Sequence, residues 1–127
     1  MAQLFLVGLG GFAGSVARYL LGGWILQHTL GARFPWSTFA VNVLGCLAIG
    51  VLSGVAERFE MIGPTARLFL FTGVLGGFTT FSAFGLETVY LLRRNELWVA
   101  AAYAAGSVLV GLLFLWMGLR AVQLMAR

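Results

Sequence analysis

The sequence predicts an all-α integral membrane protein with four transmembrane helices in one membrane domain, residues 1–127. Two observations carry that reading and a third agrees with it. Hydrophobic residues make up 61% of the chain and charged residues 9%, where a soluble domain is about 25% charged. Apolar runs of about 20 residues, the length that crosses the hydrocarbon core, recur between short polar connections. Trp24, Trp36 and Trp98 fall near the ends of those runs, as an interfacial aromatic belt places them.

The first span covers residues 3–26 and is interrupted by Arg18 alone. Met1-Ala2-Gln3 lacks the basic start of a signal peptide, and the apolar run exceeds a signal core, so it reads as a span. Residues 27–35, with His28, Arg33 and Pro35, read as a loop. The second span covers residues 36–56. Residues 57–65 hold Glu57, Arg58, Glu60 and the Gly63-Pro64 pair, a turn signal. The third span covers residues 66–92 and ends in the tight polar connection Arg93-Arg94-Asn95-Glu96. The fourth covers residues 97–122, followed by a tail to Arg127.

The third span differs from the rest. Gly73-Val74-Leu75-Gly76-Gly77-Phe78-Thr79-Thr80-Phe81-Ser82-Ala83-Phe84-Gly85 sets glycines, hydroxyls and phenyl rings into an otherwise apolar run. Inside lipid a backbone leaves the helix only where it is buried in protein or lines a wet cavity. A helix broken at mid-membrane commonly marks an ion or substrate site. The expectation is a broken third helix that forms part of a path for a small solute.

Charge excludes several functions. All eight basic residues are Arg, all four acidic residues are Glu, and the net charge is +4. The cations are spread thinly, without the patch that nucleic-acid binding needs. Cys46, the one cysteine, has no intrachain disulfide partner. One His and one Cys make no ligand cluster for metal catalysis. No Ser/His/Asp arrangement can be assembled, so the chain reads as a non-enzyme. With the N-terminus on side A, Arg58, Arg67, Arg120 and Arg127 fall on that side, against Arg33, Arg93 and Arg94 on side B. That near balance sets no firm orientation. Either one orientation wins for another reason, or copies insert both ways. Four short glycine-faced helices hardly enclose a path alone, so dimerisation is expected, antiparallel if the topology is dual.

Small residues mark close helix contacts. Gly10 and Gly14, Gly11 and Ser15, and the Gly22-Gly23 pair let backbones approach in lipid. Gly8-x-Gly10-x-x-Ala13 imitates a dinucleotide fingerprint but lacks the βαβ context and the acid that follows it. Arg18 faces a polar vestibule or bundle interior, or else snorkels or ties down backbone carbonyls. Thr38, Asn42 and Gly45 share one helical face, and Tyr103, Ser107 and Gly111 form a similar stripe on the fourth span. In lipid such groups either glue helices together or line a polar path. Thr79, Thr80 and Ser82 add hydroxyls. Phe81 and Phe84 are core residues, or rings whose positive edges suit an anion. Carbonyls freed by unwinding can hold a hard cation such as sodium. Glu87, the one acid inside a span, is a proton carrier, a counter-ion to an Arg, or a hydrogen-bond anchor.

Together these motifs resemble the Fluc (CrcB-type) fluoride channels over the whole chain. The most specific pieces are Gly8-Leu9-Gly10-Gly11-Phe12-Ala13-Gly14-Ser15-Val16-Ala17-Arg18-Tyr19, Pro35-Trp36-Ser37-Thr38-Phe39-Ala40-Val41-Asn42 and Gly73 through Phe84. The resemblance implies a passive fluoride channel that exports cytoplasmic fluoride across the cell inner membrane and confers fluoride resistance. It implies an antiparallel dual-topology homodimer with two pores, each lined by both subunits. Phe81 and Phe84 match the family's ring-edge pair, and Asn42 its pore asparagine. Thr38, Ser82, Tyr103 and Ser107 match further polar positions, and Arg18 an arginine near the vestibule. The carbonyls of Gly76 and Thr79 match a central structural sodium site at the dimer interface. Gly111 and Ala83 stand where some relatives carry hydroxyls.

Chemistry agrees with that task. Fluoride holds its water tightly, so a dry pore must offer neutral donors in exchange, while conduction needs binding weak enough to release. The alternative is a small four-helix, dual-topology, proton-coupled drug exporter. That class needs an acid deep in the first span, where this chain has none. A non-transporting scaffold is a third reading, but helix glue does not require an unwound segment.

Overall fold

A computed structural model describes residues 1–125. Arg127, counted above on side A, lies outside the described residues. The described residues form helices joined by short links and contain no strand. Four helical runs are long and apolar enough to cross a membrane: Ala2–His28, Trp36–Phe59, Pro64–Arg93 and Leu97–Met125. The first is α1, the second α2 and the last α6. The third is composite. It comprises α3 (Pro64–Arg67), a π-helical segment (Leu68–Leu75), α4 (Gly76–Phe78) and α5 (Phe81–Arg93). Between α4 and α5, Thr79 (φ −84°, ψ 154°) and Thr80 (φ −148°, ψ 115°) are extended.

The helices outrun the apolar stretches. α1 continues to His28, α2 to Phe59 and α6 to Met125, where hydropathy placed their ends at 26, 56 and 122. Polarity does not stop a helix; Glu and Arg are good helix formers, so Glu57 and Arg58 simply carry α2 out of the apolar layer. Backbone conformation does the stopping. Glu60 (φ 51°) ends α2 and Asn95 (φ 61°) follows α5, both left-handed. Pro64 opens α3 at its first turn, where its missing N–H costs nothing.

Two interfaces hold the bundle: α2 against α6, and α1 against the π-helical segment and α4. Both rest on glycine. Gly10 and Gly14 of α1 are buried against Phe69, Gly73 and Val74. Gly50 of α2 and Gly118 of α6 are buried against the backbone of the opposite helix. Gly8 and Gly23 face open space, so only part of the small-residue pattern marks contacts. The small apolar core is Leu91, Ala100 and Tyr103, packed round by Phe34, Phe39, Phe84 and Val99. Large side chains such as Phe5, Phe12, Leu112 and Trp116 are more than half exposed, an outer surface suited to lipid.

Candidate functional site

The extended link at Thr79 and Thr80 is held from α2. Asn42 donates from Nδ2 to the Thr80 carbonyl (2.9 Å) and accepts at Oδ1 from the Thr80 N–H (2.8 Å). A carboxamide carries donor and acceptor side by side, so one side chain serves both backbone groups that the lost helix would have paired. The Thr80 hydroxyl caps α5 by accepting from Ala83 N–H at 3.2 Å. Thr79 Oγ1 donates to the Leu75 carbonyl (2.9 Å), tying the other side of the link to the π-helical segment.

An open cleft of ≈ 450 Å³ adjoins this clasp. Asn42, Gly45 and Cys46 line it from α2, Gly76, Thr79 and Thr80 from the composite helix, Phe81 and Phe84 from α5, and Ser107 from α6. Its lining has apolar and neutral polar side chains and no charged one. Asn42 Nδ2 keeps a second hydrogen beyond the one given to Thr80. The Phe81 and Phe84 rings lie 5.6 Å apart at a 44° tilt. Phe81 is 82% exposed, so this chain covers little of that ring.

A second polar group lies behind Phe84. Glu87 Oε1 accepts from Thr38 Oγ1 and Glu87 Oε2 from the Tyr103 hydroxyl, each at 2.7 Å. Tyr103 is fully buried, and its ring stands 5.0 Å from Phe84. The expected polar stripes are therefore divided. Asn42 and Ser107 line the cleft, whereas Thr38 and Tyr103, on the same two helices, turn to Glu87. Of the roles open to Glu87, hydrogen-bond anchor is the one its contacts describe.

Other expected residues sit apart. Arg18 donates from Nε to the Gly77 carbonyl at 3.1 Å, pinning α1 to α4, and is absent from the cleft lining. Ser82 is exposed, its Oγ 3.4 Å from Thr80 Oγ1. Gly111 is buried, and a methyl group there would meet Cys46 Sγ at 3.3 Å, so its small size serves packing. Gly76 and Thr79 both line the cleft. Among the described residues no three His, Cys, Asp or Glu come together. Gly76 can line the cleft only with backbone, and neutral carbonyl oxygens suit a hard cation better than a transition metal.

Sequence reasoning missed the backbone of Thr80 as the partner of Asn42 and the ring of Phe34 as a neighbour of Tyr103. A Thr just before a helix start is an N-cap signal, and that signal was available at Thr80. Nothing in the local pattern marked Phe34, which lies in a loop.

Residues 5–119 match the family described as CrcB-like protein, Camphor Resistance (CrcB). The chain belongs to the CrcB family. Three relatives bear the name Fluoride-specific ion channel FluC. That of Methylobacillus flagellatus is 52% identical over 124 residues, covering 98% of this chain and 97% of the relative. That of Thermus thermophilus is 50% identical over 118 residues, covering 93% and 91%. That of Chlorobium chlorochromatii is 46% identical over 125 residues, covering 98% and 95%. In this CrcB-family chain the matched stretch contains both polar groups and Arg18. Membership and the four apolar helices make it a multi-pass membrane protein.

Proposed function

We propose that this chain is a passive, fluoride-selective channel. The observation that carries the reading is the uncharged cleft where Asn42, Ser107, Phe81 and Phe84 converge, in a chain whose relatives are named fluoride-specific ion channels. An anion that gives up its water must find donors in place of it. The free Nδ2 hydrogen of Asn42 and the Ser107 hydroxyl are neutral donors, and the ring edges carry partial positive charge. A fixed cation in such a place would hold the ion too long for conduction. Arg18, engaged with the Gly77 carbonyl, leaves the cleft free of one.

The working unit is an antiparallel, dual-topology homodimer with two pores. The exposure of Phe81 and the open cleft support it, because a second copy would supply the missing wall. In this reading the extended link at Thr79 and Thr80 is the mid-membrane break of the third helix. The carbonyls of Gly76 and Thr79, with those of the second copy, would hold a structural sodium ion that fixes the two chains together. Set in a bacterial inner membrane, the channel would let the membrane potential drive fluoride outward and so confer fluoride resistance. The proton-coupled exporter gains no support, since α1 carries no acidic residue.

The test is fluoride efflux from liposomes holding the purified protein, read with a fluoride electrode and with valinomycin as a potassium shunt. Fast efflux that needs the shunt, with chloride retained, is the expected outcome. A folded dimer that passes no fluoride would sink the reading. Within the same assay, Phe81→Ile and Phe84→Ile keep bulk but lose the ring edge. Each is expected to slow efflux by about tenfold, the factor that loss of one aromatic contact allows. Parental rates in both variants would remove the rings from the path.

A further inference from the structure

We propose that Phe34, in the link between α1 and α2, is a positioning residue for the ion path. Its ring holds Tyr103 onto Glu87 and keeps water from the tyrosine. The proposal rests on the channel reading above. Phe34 precedes Pro35, which disfavours helical backbone at Phe34. Its carbonyl accepts from Trp36 N–H at 2.9 Å, so the residue is fastened to the start of α2. From there the ring turns inward. It meets Tyr103 edge-on (5.4 Å, 80°) and Phe39 edge-on (5.2 Å, 78°), and lies 4.4 Å from Trp36. Edge-to-face is a favoured aromatic geometry.

Tyr103 is thus flanked by Phe34 and by Phe84 at 5.0 Å, and nothing of it reaches solvent. Its hydroxyl reaches Glu87 Oε2 at 2.7 Å. Such a bond gains strength in dry surroundings and costs more when a partner is lost. Links between helices are ordinarily mobile and polar. A link residue that instead stacks against a buried tyrosine couples the connection to the path. Removing the ring opens space above Tyr103, admits water to the tyrosine and takes away the support on which Phe84 leans through Tyr103.

The test uses the full-length protein in liposomes and two readouts. Tetranitromethane nitration of tyrosines, resolved by mass spectrometry, reports whether Tyr103 is shielded. Tyr19 (79% exposed) and Tyr90 (44% exposed) serve as reactive references in the same chain. Tyr103 should resist nitration in the parent and in Phe34→Leu, and react in Phe34→Ala at a rate approaching that of Tyr90. Fluoride efflux should fall about tenfold in Phe34→Ala, as loss of the ring contact allows, and stay within about threefold in Phe34→Leu. Combined with Tyr103→Phe, Phe34→Ala should lower efflux no further than the worse single variant, because both act on one bond. Tyr103 shielded in Phe34→Ala, or effects that multiply in the double variant, would overturn the role of Phe34. Phe34→Val takes the place of alanine if that variant does not fold. Parental efflux in the same vesicles tests the channel reading separately, and nitration does not depend on it.

Discussion

Asn42→Asp is expected to reduce fluoride efflux by about a thousandfold in protein that still assembles. Aspartate can accept from the Thr80 N–H as Asn42 Oδ1 does, but it cannot donate to the Thr80 carbonyl. A carboxylate oxygen would face that carbonyl, and the second donor hydrogen would vanish from the cleft. A like charge about 4 Å from a passing anion costs about 4 kcal/mol at an effective dielectric of 20. At about 1.4 kcal/mol per decade that is about 10³ in rate. Efflux measured beside size-exclusion chromatography checks the result; parental efflux from a folded dimer would take Asn42 out of the path. Asn42→Ala fails differently. It leaves both backbone groups of Thr80 without their partner, at about 1–3 kcal/mol for each, so its main symptom is a lower unfolding temperature.

The largest effect on stability should come from a single methyl group. Gly14→Ala places its Cβ on the carbonyl oxygen of Val74, and Gly50→Ala places it on that of Leu115. Both obstacles are backbone in packed helices, so no side-chain rotation relieves them. Overpacking of this kind costs about 1–3 kcal/mol, and more where nothing can yield. Each variant is expected to unfold at markedly lower temperature and to lose the parental peak in size-exclusion chromatography. Gly8→Ala is the control, because no atom lies within 4 Å of the added methyl. It should be neutral or gain about 0.5–1 kcal/mol through the helix preference for alanine. Equal melting of Gly8→Ala and Gly14→Ala would mean that α1 does not approach the composite helix this closely.

How far the site was legible depends on the kind of interaction. Asn42, Ser107, Phe81 and Phe84, which line the cleft, could be singled out as candidates because a polar side chain or a ring pair in an apolar run stands out by type. Their convergence was readable only in part. Helical spacing puts Thr38 and Asn42 on one face, yet Asn42 lines the cleft and Thr38 meets Glu87. A stripe is wide enough to touch two neighbours, and spacing does not say which member meets which. Phe34 illustrates the opposite limit. It carries no period and no motif, and its contact with Tyr103 spans distant parts of the chain. The π-helical segment Leu68–Leu75 also left no trace in the pattern, since its apolar residues suit an α-helix equally well.

Composition and run length by themselves determined the membrane setting, the four helices and the unusual character of the third. Lipid removes water as a partner for the backbone, so span number follows from hydropathy almost without reference to packing. Glycine spacing likewise announced that helices meet closely. Tertiary structure alone decided which glycines touch: Gly10 and Gly14 do, whereas Gly8 and Gly23 do not. It also decided that Glu87 is held by two hydroxyls and that Arg18 ends on a carbonyl. These are choices among partners that are equally acceptable locally. Only the simultaneous packing of all the helices, which fixes the distance and direction between residues far apart in the chain, selects one of them.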